Sequence, residues 1–167
     1  YNIPINTYFS LDLDGISALN DSVGGVDVVS PETIGEFVEG ESYHLVGQQA
    51  ESFVRTRDTS KTDSNNMRMQ RQKVYIQSFM NTVLQQTKKD LTTPIDLFNA
   101  SAPYSCTNLN PSKVSYLAQQ AVLGGMNGID MVSVPGQVAM GSKYAEFNVS
   151  EAEFYQLFLS IYYTKIE

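Results

Sequence analysis

Apolar residues recur at every second position in several short stretches of the chain, a pattern typical of strands with one buried face. The clearest stretch runs from Ile5 to Leu13, where Phe9, Leu11 and Leu13 are expected to face a core. We expect strands at residues 5–13, 26–29 and 129–134, a hairpin at 37–45 around Gly40, and either a hairpin or an irregular segment at 138–147.

Helical spacing of apolar residues alternates with these strands. Start and stop signals support the assignment, such as Asn110-Pro111 at a helix start and Gly24-Gly25 at a helix end. We expect helices at residues 14–23, 47–54 and 67–88, and after Thr93, Asn110 and Ser150. The predicted fold is therefore an α/β domain in which helices cover a central sheet, and the length fits one domain over residues 1–167.

Composition narrows the possible functions. The chain is 42% hydrophobic and carries a formal charge of -7, which indicates a globular protein and argues against a general nucleic-acid binder. No apolar run approaches the roughly 20 residues of a membrane helix. Because the chain starts at Tyr1 without a visible signal peptide, we interpret it as a piece of a longer product.

Metal and triad chemistry find little support in the residue types. His44 is the only histidine and Cys106 the only cysteine, which disfavours zinc sites, iron–sulfur sites and Ser-His-Asp catalysis. No clear carboxylate pair for Mg²⁺ is evident, so no metal ligands are predicted in this chain. What remains is phosphate chemistry carried out by arginines, in which a protein mainly positions groups and neutralises charge.

Six of the 11 basic residues lie between positions 55 and 73, a region that we call the basic cluster: Arg55, Arg57, Lys61, Arg68, Arg71 and Lys73. Gathering cations in an otherwise acidic chain favours an anion-binding site. The alternative is a solvated basic face whose arginines pair with nearby carboxylates, and spacing alone leaves both interpretations open.

The spacing within the basic cluster predicts two converging segments. Arg55 and Arg57 would point to one side of an extended segment, whereas Arg68, Arg71 and Gln72 share one face of a helix. Asn65 or Asn66 would cap that helix after a polar loop at residues 58–66. Guanidinium groups near a helix N-terminus suit a phosphate or pyrophosphate.

The same helical face continues as Tyr75 and Phe79. A helix face that begins with basic residues and continues with apolar rings suits a lipid phosphate. The alternative, which we favour, is that these two rings pack in the core.

Three sequence stretches resemble the LytR-CpsA-Psr family of bacterial cell-envelope enzymes: YFSLDLDGISALNDSVGGVDV, YHLVGQQAESFVRTRD and RMQRQKVYIQSF. The resemblance is most specific between Asn6 and Phe79. It implies an α-β-α layered domain with a central mixed sheet, whose N-terminal strands are missing from this chain.

The family resemblance also implies a function. It predicts a phosphotransferase that moves a glycopolymer, such as teichoic acid or capsular polysaccharide, from a polyprenyl-pyrophosphate carrier to peptidoglycan. Its pyrophosphate contacts fall on Arg55, Arg57, Arg68 and Gln72, and Arg71 matches the motif as well. We expect Arg55 and Arg57 to contribute to catalysis. Mg²⁺ is implied as a cofactor, with ligands outside this chain.

Two departures from the family pattern shape the remaining expectations. Asn65 stands where the family usually carries Asp, which Asp63 could replace. The family domain begins upstream of Tyr1, so we expect a membrane anchor in a missing N-terminal helix and a location on the outer face of the cell membrane. A sheet without its first strands exposes an edge, which predicts a second chain or a homodimer there.

The alternative function is a non-catalytic module that binds polyprenyl pyrophosphate or regulates envelope assembly. Such a module would keep the anion pocket without transferring the polymer. Turnover by this chain would distinguish the two.

Overall fold

Helices and short strands alternate in the computed structural model, which describes residues 5–60, 64–129, 131–142 and 144–163. The strands are β1 (Phe9–Leu11), β2 (Val26–Val29), β3 (Ser42–Leu45), β4 (Ser105–Thr107), β5 (Gly136–Met140) and β6 (Ala145–Val149). The α-helices are α1 (Asp14–Ser22), α2 (Gln48–Arg55), α3 (Ser64–Lys89), α4 (Thr93–Ser101), α5 (Pro111–Leu123) and α6 (Glu151–Tyr162). A short 3₁₀ helix, Ala102–Tyr104, follows α4.

The α/β fold class is confirmed, and the strands of the described residues pair as three antiparallel two-stranded sheets. β1 pairs with β4, β2 with β3, and β5 with β6. The chain divides into two compact units, residues 1–130 and 131–167, and each is described by itself. The single-domain assignment stays a prediction.

Two strand predictions are wrong in their details. The predicted hairpin at residues 37–45 does not form, because β3 pairs with β2 while Ile34 and Phe37 close a tight turn between them. Only residues 9–11 of the predicted 5–13 strand are extended, and Phe9 and Leu13 are nearly half exposed. The two-stranded β1–β4 pair leaves both faces of β1 largely uncovered, unlike the β2–β3 pair.

The strand predicted at 129–134 is also wrong for its described residues. Asp130 lies outside the described part of the chain, and residues 131–134 have no strand geometry. Val132 and Val134 are exposed rather than buried. A short apolar run predicts a strand only where a neighbouring strand can accept its backbone hydrogen bonds.

The core of residues 1–130 lies between the β2–β3 pair and helices α1 to α4. On β2 the alternation holds at first, since Val26 and Val28 are buried and Asp27 is exposed. The fully buried centre also includes side chains from the turn after β2, from β3 and from α2: Phe37, Leu45, Ala50 and Phe53. Phe37 stacks edge-on against Phe53 with ring centroids 5.0 Å apart. This core fixes α2 against the sheet, which matters for the arginines at its C-terminus.

The predicted glycine ending of α1 is confirmed. The Gly24 amide donates to Asp21 and the Gly25 amide to Asn20, which is the double hydrogen bond of a Schellman motif. Both glycines have positive φ angles, 81° and 94°. Left-handed backbone of this kind favours glycine over residues with a Cβ atom.

His44 joins this turn to the β2–β3 sheet. Its Nδ1 lies 2.7 Å from the Asp27 carboxylate and its Nε2 3.1 Å from the Gly24 carbonyl. Both neighbours are acceptors, so both ring nitrogens donate only when the imidazole is protonated. The hydrogen bond to Asp27 is the main cause that raises the pKa of His44 above its usual value.

The second unit, residues 131–167, consists of a β-hairpin followed by α6. The predicted hairpin at 138–147 is confirmed, with Val138 opposite Phe147 and Gly136 opposite Val149. α6 begins directly after Ser150, as predicted. None of the helices in the described residues is both long and apolar enough to cross a membrane.

Candidate functional site

The end of α2 and the start of α3 are in contact and bring together the arginines of the basic cluster. α2 ends at Arg55, and Thr56 follows as its C-cap in extended conformation. α3 begins at Ser64, so Asn65 and Asn66 lie in its first turn rather than capping it before Met67. Residues 61–63 of the predicted loop, including Lys61 and Asp63, lie outside the described residues.

Arg55 and Arg57 do not form the predicted extended pair, because Arg55 is the last residue of a helix. Its guanidinium turns back and donates to Glu51 Oε1 at 2.7 Å, one helical turn earlier. The Arg55 side chain is 63% exposed, whereas that of Glu51 is only 13% exposed. Fully exposed pairs at this spacing stabilise a helix by about 0.3–0.5 kcal/mol.

Arg57 and Arg68 have a different environment. The Arg57 Nε–H donates to Ser64 Oγ at 3.1 Å, and Arg68 Nη2 donates to Asn65 Oδ1 at 2.9 Å. Both partners are neutral and lie in the first turn of α3. Within the described residues, neither guanidinium lies within ion-pairing distance of a carboxylate. Among the described residues, no carboxylate therefore neutralises either charge.

Arg68 also carries a buried donor without a partner. Its Nε is shielded from solvent and makes no hydrogen bond within the described structure. A buried unpaired donor costs about 1–3 kcal/mol, which a bound acceptor would recover. The first turn of α3 contains no acidic residue, so the positive end of the helix adds to the attraction for an anion.

Arg71 points the other way, into the protein. Its side chain is fully buried, and its Nε–H donates to Glu32 Oε1 at 2.7 Å. Its two terminal nitrogens donate to the backbone carbonyls of Phe53 and Thr56. These contacts occupy the guanidinium inside the fold, so the assignment of Arg71 to the pyrophosphate stays a prediction that its position does not support.

Gln72 lies beside Arg71 and contacts the same helix end. Its Nε2 donates to the Val54 carbonyl at 3.2 Å. Together with Arg71 it satisfies three carbonyls at or just beyond the C-terminus of α2, which lack partners within that helix. A cation at this end of a helix is favoured by the macrodipole.

Tyr75 and Phe79 pack in the core, which confirms the alternative that we favoured for them. The Tyr75 hydroxyl donates to Asn20 Oδ1 at 3.2 Å, and Asn20 in turn donates to the Leu45 carbonyl. Burial, with the nearby Asp21 carboxylate, raises the pKa of Tyr75 far above its usual value. This hydroxyl therefore stays protonated and serves the structure.

Sequence reasoning missed Glu32 and Asn20, two buried polar residues that hold this region together. No periodicity marks Glu32, which lies in the turn after β2. For Arg71 a signal existed, since it precedes Tyr75 by one helical turn. Ser64, Arg71 and Tyr75 all lie on the buried face of α3.

The residues described do not fit a Mg²⁺ site. No group of three or more histidine, cysteine, aspartate or glutamate side chains among them could hold a metal ion. We therefore derive no reaction step through Mg²⁺.

Comparison with protein families gives one match, which covers nearly the whole chain. The LytR_cpsA_psr family model matches residues 1–159. No curated protein shows significant sequence similarity to the chain.

Several solved structures share the fold. Protein gbs0355 from Streptococcus agalactiae aligns with a TM-score of 0.75 at 17% identity, over 99% of this chain and 60% of that one. TagV from B. subtilis aligns with a TM-score of 0.70 at 21% identity, over 98% and 66%. TagT bound to LI-WTA aligns with a TM-score of 0.67 at 14% identity, over 96% and 60%. The chain thus spans about 60–66% of the length of these structures.

Proposed function

Because the chain belongs to the LytR-CpsA-Psr family, we propose that it is part of a cell-envelope phosphotransferase. The proposed reaction moves a glycopolymer from a polyprenyl-pyrophosphate carrier to peptidoglycan. In this chain the basic cluster would bind the pyrophosphate group.

The observation that carries the proposal is a pair of guanidinium groups that contact the first turn of α3 and have no carboxylate partner among the described residues. Arg57 and Arg68 are held there by neutral side chains, and Arg68 keeps a buried donor free. Two planar guanidiniums present paired donors that match the oxygens of a pyrophosphate. Neutralising that charge is the main task of a protein in phosphoryl transfer.

Arg55 completes the proposed site after a local rearrangement. Its pairing with Glu51 is exposed and weak, so a dianionic ligand competes for it. We assign Arg55 and Arg57 the catalytic part, neutralising charge on the transferred phosphate, and Arg68 the part of holding the carrier. The ligand contact of Gln72 stays a prediction, since its amide donates to the Val54 carbonyl.

The partners follow from the same proposal. TagT, which shares the fold, was solved bound to LI-WTA, and that ligand supports a polymer-bearing substrate for this chain. Family membership adds three further parts to the proposal. Peptidoglycan is the acceptor, the protein lies on the outer face of the cell membrane, and residues outside this chain hold Mg²⁺.

Binding of a prenyl pyrophosphate tests the site. Farnesyl pyrophosphate, titrated by calorimetry, is expected to bind the parent chain, and Arg57→Ala and Arg68→Ala should each weaken binding by about 1.5–3 kcal/mol, or roughly 10- to 150-fold. Lys89→Ala is the matched control, since it removes a cation about 30 Å away at the other end of α3. Wild-type affinity in both arginine variants would refute the site.

A transfer assay separates the enzyme from the non-catalytic alternative. The chain is incubated with lipid-linked glycopolymer, peptidoglycan and Mg²⁺, and polymer attached to peptidoglycan is measured. Binding of the lipid without any transfer would favour the binding module.

A further inference from the structure

Arg71 makes its three contacts with two different elements, and this places it at a junction. Glu32 belongs to the turn after β2, whereas Phe53 and Thr56 belong to the end of α2. Arg71 itself lies two turns into α3. A single fully buried guanidinium therefore ties three segments together.

Thr56 is the critical partner, since it lies between Arg55 and Arg57 in the sequence. Its carbonyl accepts from Arg71, and its amide and hydroxyl both donate to the Ser52 carbonyl, at 3.0 and 2.7 Å. The backbone that carries both arginines is thus held on two sides. The Val54 carbonyl, which precedes Arg55, accepts a hydrogen bond from Gln72.

We propose that Arg71 is a positioning residue for anion binding. It does not touch the ligand; it fixes the backbone between Arg55 and Arg57, and Glu32 fixes Arg71 in turn. This inference rests on the proposed function, because the positioned residues are those of the proposed pyrophosphate site.

The burial of Arg71 distinguishes positioning from direct contact. A ligand could reach this guanidinium only if it displaced two backbone carbonyls and the Glu32 carboxylate at once. Separating a buried charge from its partner is strongly unfavourable. Lysine could not replace Arg71, because its compact ammonium cannot direct planar donors along the three directions that arginine serves here.

Two glutamate variants test the proposal, because direct contact and positioning predict opposite signs. Glu32→Gln removes an anion near the cluster. If Arg71 contacted the ligand, its release would tighten binding of farnesyl pyrophosphate. If Arg71 positions the backbone at residues 55–57, binding should weaken about 5- to 10-fold, because a charge-assisted hydrogen bond becomes a neutral one. Glu51→Gln is the matched control, which releases Arg55 and should leave binding unchanged or up to about threefold tighter.

A second variant separates positioning from general destabilisation. Arg71→Lys should weaken binding and speed amide hydrogen exchange at residues 55–58. Leu97→Ala, a core substitution on α4, should lower stability without either effect. Tighter binding by Glu32→Gln, or equal exchange at residues 55–58 in Arg71→Lys and the parent, would overturn the proposal.

The hydrogen-exchange measurement needs no ligand, so it keeps the two ideas apart. If the parent chain fails to bind farnesyl pyrophosphate, the proposed function fails. Faster amide exchange at residues 55–58 in Arg71→Lys would still establish that Arg71 positions this backbone, whereas unchanged exchange would refute it.

Discussion

Gly24 and Gly25 are adjacent and both have positive φ angles, yet their surroundings differ. A Cβ atom built on Gly24 meets nothing within 4 Å. A Cβ atom on Gly25 would lie 2.4 Å from His44 Nε2 and 2.9 Å from the Leu45 carbonyl oxygen. The first glycine is required by its backbone angle alone, whereas the second is also required by the closeness of the histidine.

Alanine substitutions should separate these two requirements. Gly24→Ala is expected to lower the free energy of unfolding by about 1–2 kcal/mol, the cost of a left-handed alanine. Gly25→Ala should lower the free energy of unfolding by about 1–3 kcal/mol more than Gly24→Ala does, because the methyl group overlaps its neighbours. Urea unfolding measures both values. Equal losses in the two variants would contradict the close packing at Gly25.

The arginines, like the two glycines, show that one residue type can have different roles at nearby positions: the four arginines have three roles within 17 positions. Arg55 pairs with Glu51 one turn earlier on its own helix, Arg57 and Arg68 lack carboxylate partners within the described residues, and Arg71 is buried. Spacing along the sequence predicted that all four lie near each other. It could not predict which of them point inwards, because that depends on which face of α3 the core covers.

At the scale of elements, the contact between the end of α1 and the β2–β3 pair depends on the protonation of His44. The cation donates to Asp27 and to the Gly24 carbonyl, which lies just beyond the C-terminus of α1. The helix macrodipole favours a cation at that position. In the neutral ring one nitrogen would face an oxygen without a proton between them.

The stability of the fold should therefore fall as pH rises. Because the pKa of His44 is raised in the folded state, its contribution is complete below about pH 6.5, the unfolded value, and is lost as pH passes through the folded pKa. Urea unfolding between pH 5.5 and 8.5 should show this loss in the parent and not in His44→Gln.

NMR gives an independent check, because His44 is the only histidine. Its ring protons should titrate with a midpoint above 6.5. A midpoint at or below that value would contradict the proposed double donation.

Local signals predicted several elements correctly. Asn110 caps α5 by accepting from the Lys113 amide at 2.9 Å, and Gly24 ends α1 as expected. These features depend on neighbouring residues only. The failures concern distant partners: β3 pairs with β2 and not with a strand beginning at Phe37, and α5 and α6 bury no residue completely despite their apolar faces.

At the scale of the whole molecule, the charge distribution separates two kinds of anion. The formal charge is -7, while all four arginines lie between positions 55 and 71. A small ligand at the basic cluster interacts mainly with charges within the Debye length of about 8 Å at physiological salt. A DNA duplex extends over much more of the surface and meets its negative charge as well.

We therefore expect no measurable binding of duplex DNA at physiological salt, under conditions in which farnesyl pyrophosphate binds. Fluorescence anisotropy with a labelled duplex over a series of salt concentrations tests this. Binding with the steep salt dependence of phosphate neutralisation would contradict it.

The anchoring of Thr56 also limits how the neighbouring arginines can adapt. With the peptide between them held by Arg71 and Ser52, Arg55 and Arg57 can change position only by rotation about their own side-chain bonds. In the proposed site, two flexible arginine side chains on a fixed backbone would tolerate different groups attached beyond the pyrophosphate. They could not follow a pyrophosphate that binds at a different position along residues 55–57. In the proposed site, the position of the pyrophosphate group would then decide which carriers bind, and the attached sugar would be free to vary.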